Sequence, residues 1–155
     1  MSVRDEQDLL SGLALGSFRL NGQFLEVAEG LARPVGLTAA WWQVLGAVLS
    51  QPLSVADIAR EMGITRQSVQ RVADLLVARG LAEYQPNPAH RRAKLVTPTH
   101  DGRQAVAEIG PAHAGFAARL VEAMGRDELA ATLAAIRRLS TVLGELAHDT
   151  PDVDE

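Results

Sequence analysis

Apolar side chains recur at Leu9, Leu13, Leu20, Phe24, Val27, Ala28 and Leu31. These positions largely follow the i, i+3, i+4, i+7 stripe of an amphipathic helix and predict one from about Asp5 to Ala32. Gly12, Gly16 and Gly22 weaken its intrinsic propensity, so packing must hold it, and Pro34 and Gly36 end it. Thr38 is placed to cap a second helix, AAWWQVLGAVLSQ, that stops before Pro52. Ser54 caps a third, VADIAREM, closed by Gly63, and Thr65 caps a fourth, RQSVQRVADLLVAR, closed by Gly80. The runs Leu81–Gln85 and Ala93–Pro98 are short enough for strands, with PNPAHRR as the turn between them. Thr99 and Asp101 open a long helix carrying Val106, Ile109, Phe116, Leu120 and Met124, with Pro111 placed to bend it. Asp127 starts a last helix with Leu129, Leu133, Ile136, Leu139, Leu143 and Leu146 on one stripe. The fold class is therefore mainly α with a small β-hairpin.

Composition narrows the function. The 155 residues are 47% hydrophobic and 22% charged, as in a globular chain, and there is no cysteine, which removes disulfides, thiolate metal sites and thiol chemistry. Acids near the N-terminus argue against a secretory leader, and the cytoplasm is the expected location. The stretch between Arg33 and Asp57 carries no charge, but Pro34, Thr38, Gln43, Ser50, Gln51, Pro52 and Ser54 interrupt it, so it reads as a buried helix and a turn, not a membrane span. No phosphate loop, nucleophile elbow, metal motif or convincing carboxylate pair is present, so neither catalysis, a metal nor a cofactor is expected. Charge is uneven: Ser54 to Arg103 holds eight basic and five acidic residues, whereas the whole chain has a net charge of −4. A basic centre in an acidic frame suits a chain that presents one face to a polyanion.

The segment VADIAREMGITRQSVQRVADLL, residues 55–76, meets the steric demands of a helix-turn-helix. Ala59 is the small residue at the helix crossing, Gly63 can take the positive φ of the turn, and Ile58, Met62, Ile64, Val69 and Val72 fall on the inward side. The outer face of the fourth helix then carries Arg66, Gln67, Gln70 and Arg71, with Ser68 near its N-terminus, side chains able to reach base edges and phosphates. Ser54 and Thr65 are caps first, at helix N-termini that could also receive phosphates. The following hairpin sets its tip beside this helix, and paired arginines there, Arg91 and Arg92, suit the negative potential of a minor groove. Lys94 reads equally as a phosphate contact or a solvated charge. Hairpin and helix-turn-helix together make a winged helix, with double-stranded DNA as the expected partner.

With LTAAWWQVL ahead of that unit and GLAEYQPNPAHRRAKLVTPTHDGR after it, residues 37–103 resemble the MarR family of bacterial transcriptional regulators. The family's wing usually reads Asp-x-Arg ahead of a leucine-threonine pair. Arg92 matches the wing arginine, and Thr99 with Gly102 matches the helix start, but His90 stands in place of the aspartate and Pro98 in place of the leucine. In the family that acid orients the wing arginine, so its replacement leaves Arg92 less constrained, while a protonated His90 would add positive charge to the wing.

The resemblance implies a homodimer that reads an inverted repeat, more often as a repressor. It partitions the chain into an N-terminal dimerisation helix (1–36), the winged helix-turn-helix (37–98), C-terminal dimerisation helices (99–148) and an acidic tail (149–155), in one compact domain. Intrachain packing of the terminal helices is the alternative to dimerisation. Many relatives bind small aromatic or phenolic ligands in a crevice, for which Phe18, Trp41, His113 and Phe116 are the candidates here, with core or interface packing as the competing role of each. Trp41 and Trp42 are adjacent and are not expected to face one core, and Trp42 is the one expected inside. A winged helix used for protein contacts is the rival reading.

Overall fold

A computed structural model of the chain describes residues 1–149, so the expected acidic tail, apart from Asp149, lies outside the described residues. Helix α1 spans Val3–Ala32, beginning two residues before the periodicity suggested because Ser2 and Asp5 form a reciprocal capping box. A 3-10 turn, Arg33–Val35, ends at Gly36. Then follow α2 (Ala39–Val48), β1 (Leu53–Ser54), α3 (Val55–Met62), α4 (Arg66–Ala78), β2 (Ala82–Gln85), β3 (Leu95–Pro98), α5 (His100–Met124) and α6 (Arg126–His148). The chain, read from its sequence as one compact domain, divides into two compact units, Met1–Pro111 and a second from Ala112 onward.

The core of the first unit gathers around α2, whose Val44, Leu45 and Val48 are buried, with Ile58 and Ala59 of α3 and Val69, Val72, Ala73 and Leu76 of α4. Burial of each of these valine, leucine and isoleucine side chains contributes roughly 1.5–3 kcal/mol. Three side-chain caps fix where the helices start: Thr38 accepts from the Trp41 N–H at 3.1 Å, Ser54 from Asp57 at 3.2 Å, and Thr65 from Ser68 at 3.1 Å. Gly63 has φ 65°, a left-handed conformation that turns α3 sharply into α4.

Three expectations are corrected. The small sheet is not a hairpin alone: its order is β1-β3-β2, all antiparallel, with Leu53 opposite Val96 and Ser54 opposite Leu95. Ser54 thus ends a strand and caps α3, which ties the wing to the helix-turn-helix. Ile64, expected inward, is 42% exposed; its N–H bonds the Ala59 carbonyl at 3.1 Å, so it sits in the turn and not beneath the helices. Trp41 and Trp42 both pack, half-buried, against the same core, because α2 lies centrally and meets neighbours on more than one side.

Entry into α5 is set by Thr99. Its N–H bonds the Leu81 carbonyl at 3.1 Å, its hydroxyl donates to the Gly80 carbonyl at 2.7 Å, and it accepts from the Gly102 N–H at 3.1 Å. Helix α5 runs on through Pro111, which has no N–H to donate. In α1 the shielded residues are, apart from Ala14, in the last turns from Val27; Leu9, Leu10, Leu13, Leu15, Phe18, Leu20 and Phe24 are exposed. Within the second unit, α6 likewise exposes Leu133, Ile136, Leu143 and Leu146. Among the described residues no helix is long and apolar enough to cross a membrane.

Candidate nucleic-acid interface

Helix α4 buries Val69, Val72, Ala73 and Leu76, leaving the opposite face to Arg66, Gln67, Gln70, Arg71 and Asp74, all exposed. At about 100° per residue, Arg66, Gln70, Asp74 and Gln67 fall within one sector of about 100°. Across from that sector lies the wing. The two frame a concavity of about 570 Å³ lined by Arg66, Gln67, Gln70 and Asp74 of α4, Tyr84, Arg92, Ala93 and Lys94 of the wing, and Ser54, Val55 and Ala56 at the N-terminus of α3. The concavity thus brings residues of α4, the wing and the start of α3 onto one surface.

The individual candidates divide. Arg66, Gln67, Gln70, Arg92, Lys94 and Ser54 line the concavity, whereas Thr65, Ser68, Arg71, His90 and Arg91 lie outside its lining. All of these except Ser54 are exposed. Thr65 accepts from the Ser68 N–H and donates to its hydroxyl at 2.8 Å, so both residues serve first to start α4. Ser54 is buried and engaged as a cap. The wing tip is shaped by Asn87, whose side chain accepts from the Ala89 N–H at 3.0 Å and whose carbonyl accepts from the His90 N–H at 3.2 Å. Among the described residues no acid pairs with Arg92, consistent with the loss of the wing aspartate.

Two residues the sequence reading did not single out complete the surface. The Tyr84 hydroxyl donates to Asp74 Oδ1. Gln70 Nε2 donates to the same carboxylate oxygen at 3.0 Å and to the Tyr84 oxygen at 2.9 Å. Burial, followed by the hydrogen bond and charge of Asp74, pushes the Tyr84 hydroxyl up to about 12, while the donation from Gln70 pulls the other way. Lys94 Nζ lies 5.9 Å from the centre of the Tyr84 ring. This network bolts wing to helix. Its signal in the sequence was the i, i+4 spacing of Gln70 and Asp74; nothing in the sequence placed Tyr84 beside them.

Of the four ligand candidates, Phe18 and Trp41 belong to the first unit and His113 and Phe116 to the second. Phe18 is 72% exposed on α1, and Trp41 lies under Arg79, whose guanidinium carbon is 5.5 Å from the ring centre. A different aromatic pair shares a concavity of about 330 Å³: Phe24 and Trp42, with Asn21, Leu25, Ala28, Gln43 and Gly46. In the second unit His113 is exposed, and Phe116 lines a shallow surface depression with Arg119, Leu120, Glu122 and Ala123. Among the described residues no group of His, Asp or Glu could hold a metal ion.

A MarR family model matches residues 35–93. An uncharacterized protein of Mycobacterium tuberculosis is 38% identical over 136 residues, covering 88% of this chain and 95% of that protein. Among solved structures, the transcriptional repressor CouR bound to a 23-mer DNA duplex superposes with a TM-score of 0.73 at 28% identity, over 86% of this chain and 95% of that one. BpsR of Bordetella bronchiseptica, whose DNA binding is regulated by 6-hydroxynicotinic acid, gives 0.71 at 28% identity, over 83% and 98%. With its helix-turn-helix, its three-stranded wing and these likenesses, the chain belongs to the MarR family of winged helix-turn-helix transcriptional regulators.

Proposed function

We propose that the protein is a homodimeric, ligand-responsive repressor that binds an inverted repeat in double-stranded DNA. The observation that carries the DNA reading is the concavity in which Arg66, Gln67 and Gln70 of α4 meet Arg92 and Lys94 of the wing. Long donors on a helix that fits the major groove read base edges, while a wing arginine reaches the adjacent minor groove. The exposed N-terminus of α4, with Ser68 and Arg71 beside it, and the tip residues His90 and Arg91 lie at the margins and suit phosphate contacts. The N-terminus of α3 at Val55 and Ala56 adds backbone donors to the same surface.

Dimerisation is supported by the apolar side chains that α1 and α6 each leave in water. Leu13 is 50% exposed and Leu133 47%, within stripes too long for an isolated soluble monomer. A second copy of the chain supplies the cover and presents two α4 helices to two half-sites. Repression follows the precedent of CouR, and response to a small aromatic effector that of BpsR. The concavity at Phe24 and Trp42, with the amides of Asn21 and Gln43 in its lining, has the size and mixed character of a small-molecule site.

The test is selection of bound fragments from the source genome followed by footprinting. Two protected half-sites in inverted orientation, roughly 10 bp or a multiple apart centre to centre, are expected. A monomer protecting a single half-site would reject the dimeric reading.

A further inference from the structure

We infer that Tyr84 is a positioning residue for DNA recognition: its hydroxyl, held by Asp74, sets the gap between α4 and the wing and so places Arg92. The inference rests on the DNA-binding reading above and adds to it the device that spaces the two contacts.

Reading DNA with a helix and a wing makes a mechanical demand. The two enter neighbouring grooves, so the sugar-phosphate ridge between those grooves must run through the gap that separates them. A wing that drifts against α4 misplaces its arginine, and a wing already held still in the free protein spares binding an ordering cost. Arg92 gains no such hold from an ion pair, since among the described residues no acid pairs with it. The ladder that sets Tyr84 opposite Val96 and Gln85 opposite Leu95 joins strand to strand, not strand to recognition helix.

Among the described residues, the side-chain hydrogen bonds between α4 and the strands of the wing converge on Tyr84. Its hydroxyl donates to Asp74 Oδ1. The Gln70 amide nitrogen lies 3.0 Å from that carboxylate oxygen and 2.9 Å from the Tyr84 oxygen. The three atoms close a triangle, so one amide hydrogen is shared by both oxygens and braces the pair, while the rest of the amide stays available to DNA. Lys94, two residues from Arg92, has its Nζ 5.9 Å from the centre of the Tyr84 ring, so the same side chain also meets the segment that carries the arginine. Asp74 itself is the anomaly that this arrangement explains. It lines the concavity with Arg66, Arg92 and Lys94, where a carboxylate opposes the approach of a phosphate. The bond to Tyr84 gives that charge a purpose.

The experiment is a set of double-mutant cycles on the full-length protein and its selected operator, read by fluorescence anisotropy at one fixed salt concentration. Tyr84→Phe keeps the ring and removes the hydroxyl. The bond's net worth bounds its effect, which is expected to be a loss of operator affinity of roughly three- to tenfold for each wing engaged. In an Arg92→Ala background the same change is expected to cost nothing further, whereas in an Arg66→Ala background, altered on α4 and not on the wing, it keeps its full cost. Asp74→Asn retains an oxygen that accepts from Tyr84, so Tyr84→Phe is expected to cost as much there as in the unmodified protein, and less in Asp74→Ala. Each comparison stays within one background, so the charge removed with Asp74 cancels. Thermal melts identify any variant that fails to fold, and the Arg92 and Asp74 cycles test the inference independently. No loss from Tyr84→Phe, an undiminished loss in the Arg92→Ala background, or an undiminished loss in Asp74→Ala would each overturn the inference while leaving the DNA reading intact. Failure of the unmodified protein to bind duplex at all would overturn the DNA reading and this inference with it.

Discussion

Gly102→Ala sets two opposing effects against each other at the junction of wing and α5. A Cβ at position 102 would lie 2.0 Å from the Leu81 carbonyl oxygen, 3.0 Å from its carbon and 3.3 Å from a Leu45 methyl. The Leu81 obstacle is backbone, so relief requires the chain to part by roughly 1.5 Å to reach ordinary van der Waals separation. That movement pulls Thr99 away from Leu81 and Gly80, two hydrogen bonds of 3.1 and 2.7 Å. Overpacking costs about 1–3 kcal/mol, and each lost bond about 1 kcal/mol. Against this, alanine gains up to about 1 kcal/mol of helix propensity over glycine. The clash wins, by about 2–4 kcal/mol, which corresponds to a melting temperature lower by roughly 4–16 °C for a chain of this size. Circular dichroism melts at matched protein concentration measure it, the matching being required because association shifts the midpoint. Gly110→Ala, in the same helix with nothing within 4 Å of its Cβ, is the control and is expected to be neutral or slightly stabilising. Equal midpoints for the two variants would refute the close approach of α5 to the end of α4.

Tyr84 is the chain's single tyrosine, so phenolate absorbance reports it alone, and its titration midpoint is expected near 12 in place of the ordinary 10.0. Because the folded hydroxyl holds its proton more tightly than the unfolded one, its contribution to stability is complete below pH 10 and lost as pH rises toward 12; urea unfolding across that window shows the decline, and Tyr84→Phe abolishes it. Thr65→Ala removes the cap of α4 and is expected to lower unfolding free energy by about 1 kcal/mol and to weaken duplex binding by loosening the first turn, whereas Thr65→Ser preserves both. Leu13→Lys together with Leu133→Lys places charge on the exposed stripes of α1 and α6 and is expected to shift sedimentation from dimer to monomer; an unchanged dimer would locate the interface elsewhere.

The helices were legible because their signals are local. Thr38, Ser54 and Thr65 each sit one residue before an apolar periodicity, and all three accept the capping bond their positions imply. Gly63 was legible for the same reason, since a tight turn has few chemical solutions. What escaped the sequence was non-local. Strand β1 is two residues long, too short for any alternation, and exists because β3 offers it an edge. Ile64 carried an inward-looking period into a turn where the period no longer applies. The half-burial of both tryptophans reflects the central place of α2, which no window of sequence records. In the candidate interface, type and spacing singled out Arg66, Gln67, Gln70, Arg92, Lys94 and Ser54, which line the concavity, but did not separate them from the candidates outside its lining. Tyr84 was invisible as a partner of Gln70, fourteen residues away, until β2 folded back against α4. An aromatic residue at helical spacing says nothing about which neighbour completes a cavity, so the pairing of Phe24 with Trp42 in one concavity was not legible.

The most direct measurement is the salt dependence of duplex binding by the unmodified protein and by the triple variant Arg66→Ala, Arg71→Ala, Arg92→Ala. If α4 and the wing form one cationic surface against DNA, affinity falls steeply with salt. The log–log slope then becomes shallower by up to about 2.7 in the triple variant, at about 0.9 for each phosphate contact removed. An identical slope in the two proteins would contradict that surface and assign the winged helix to protein contacts.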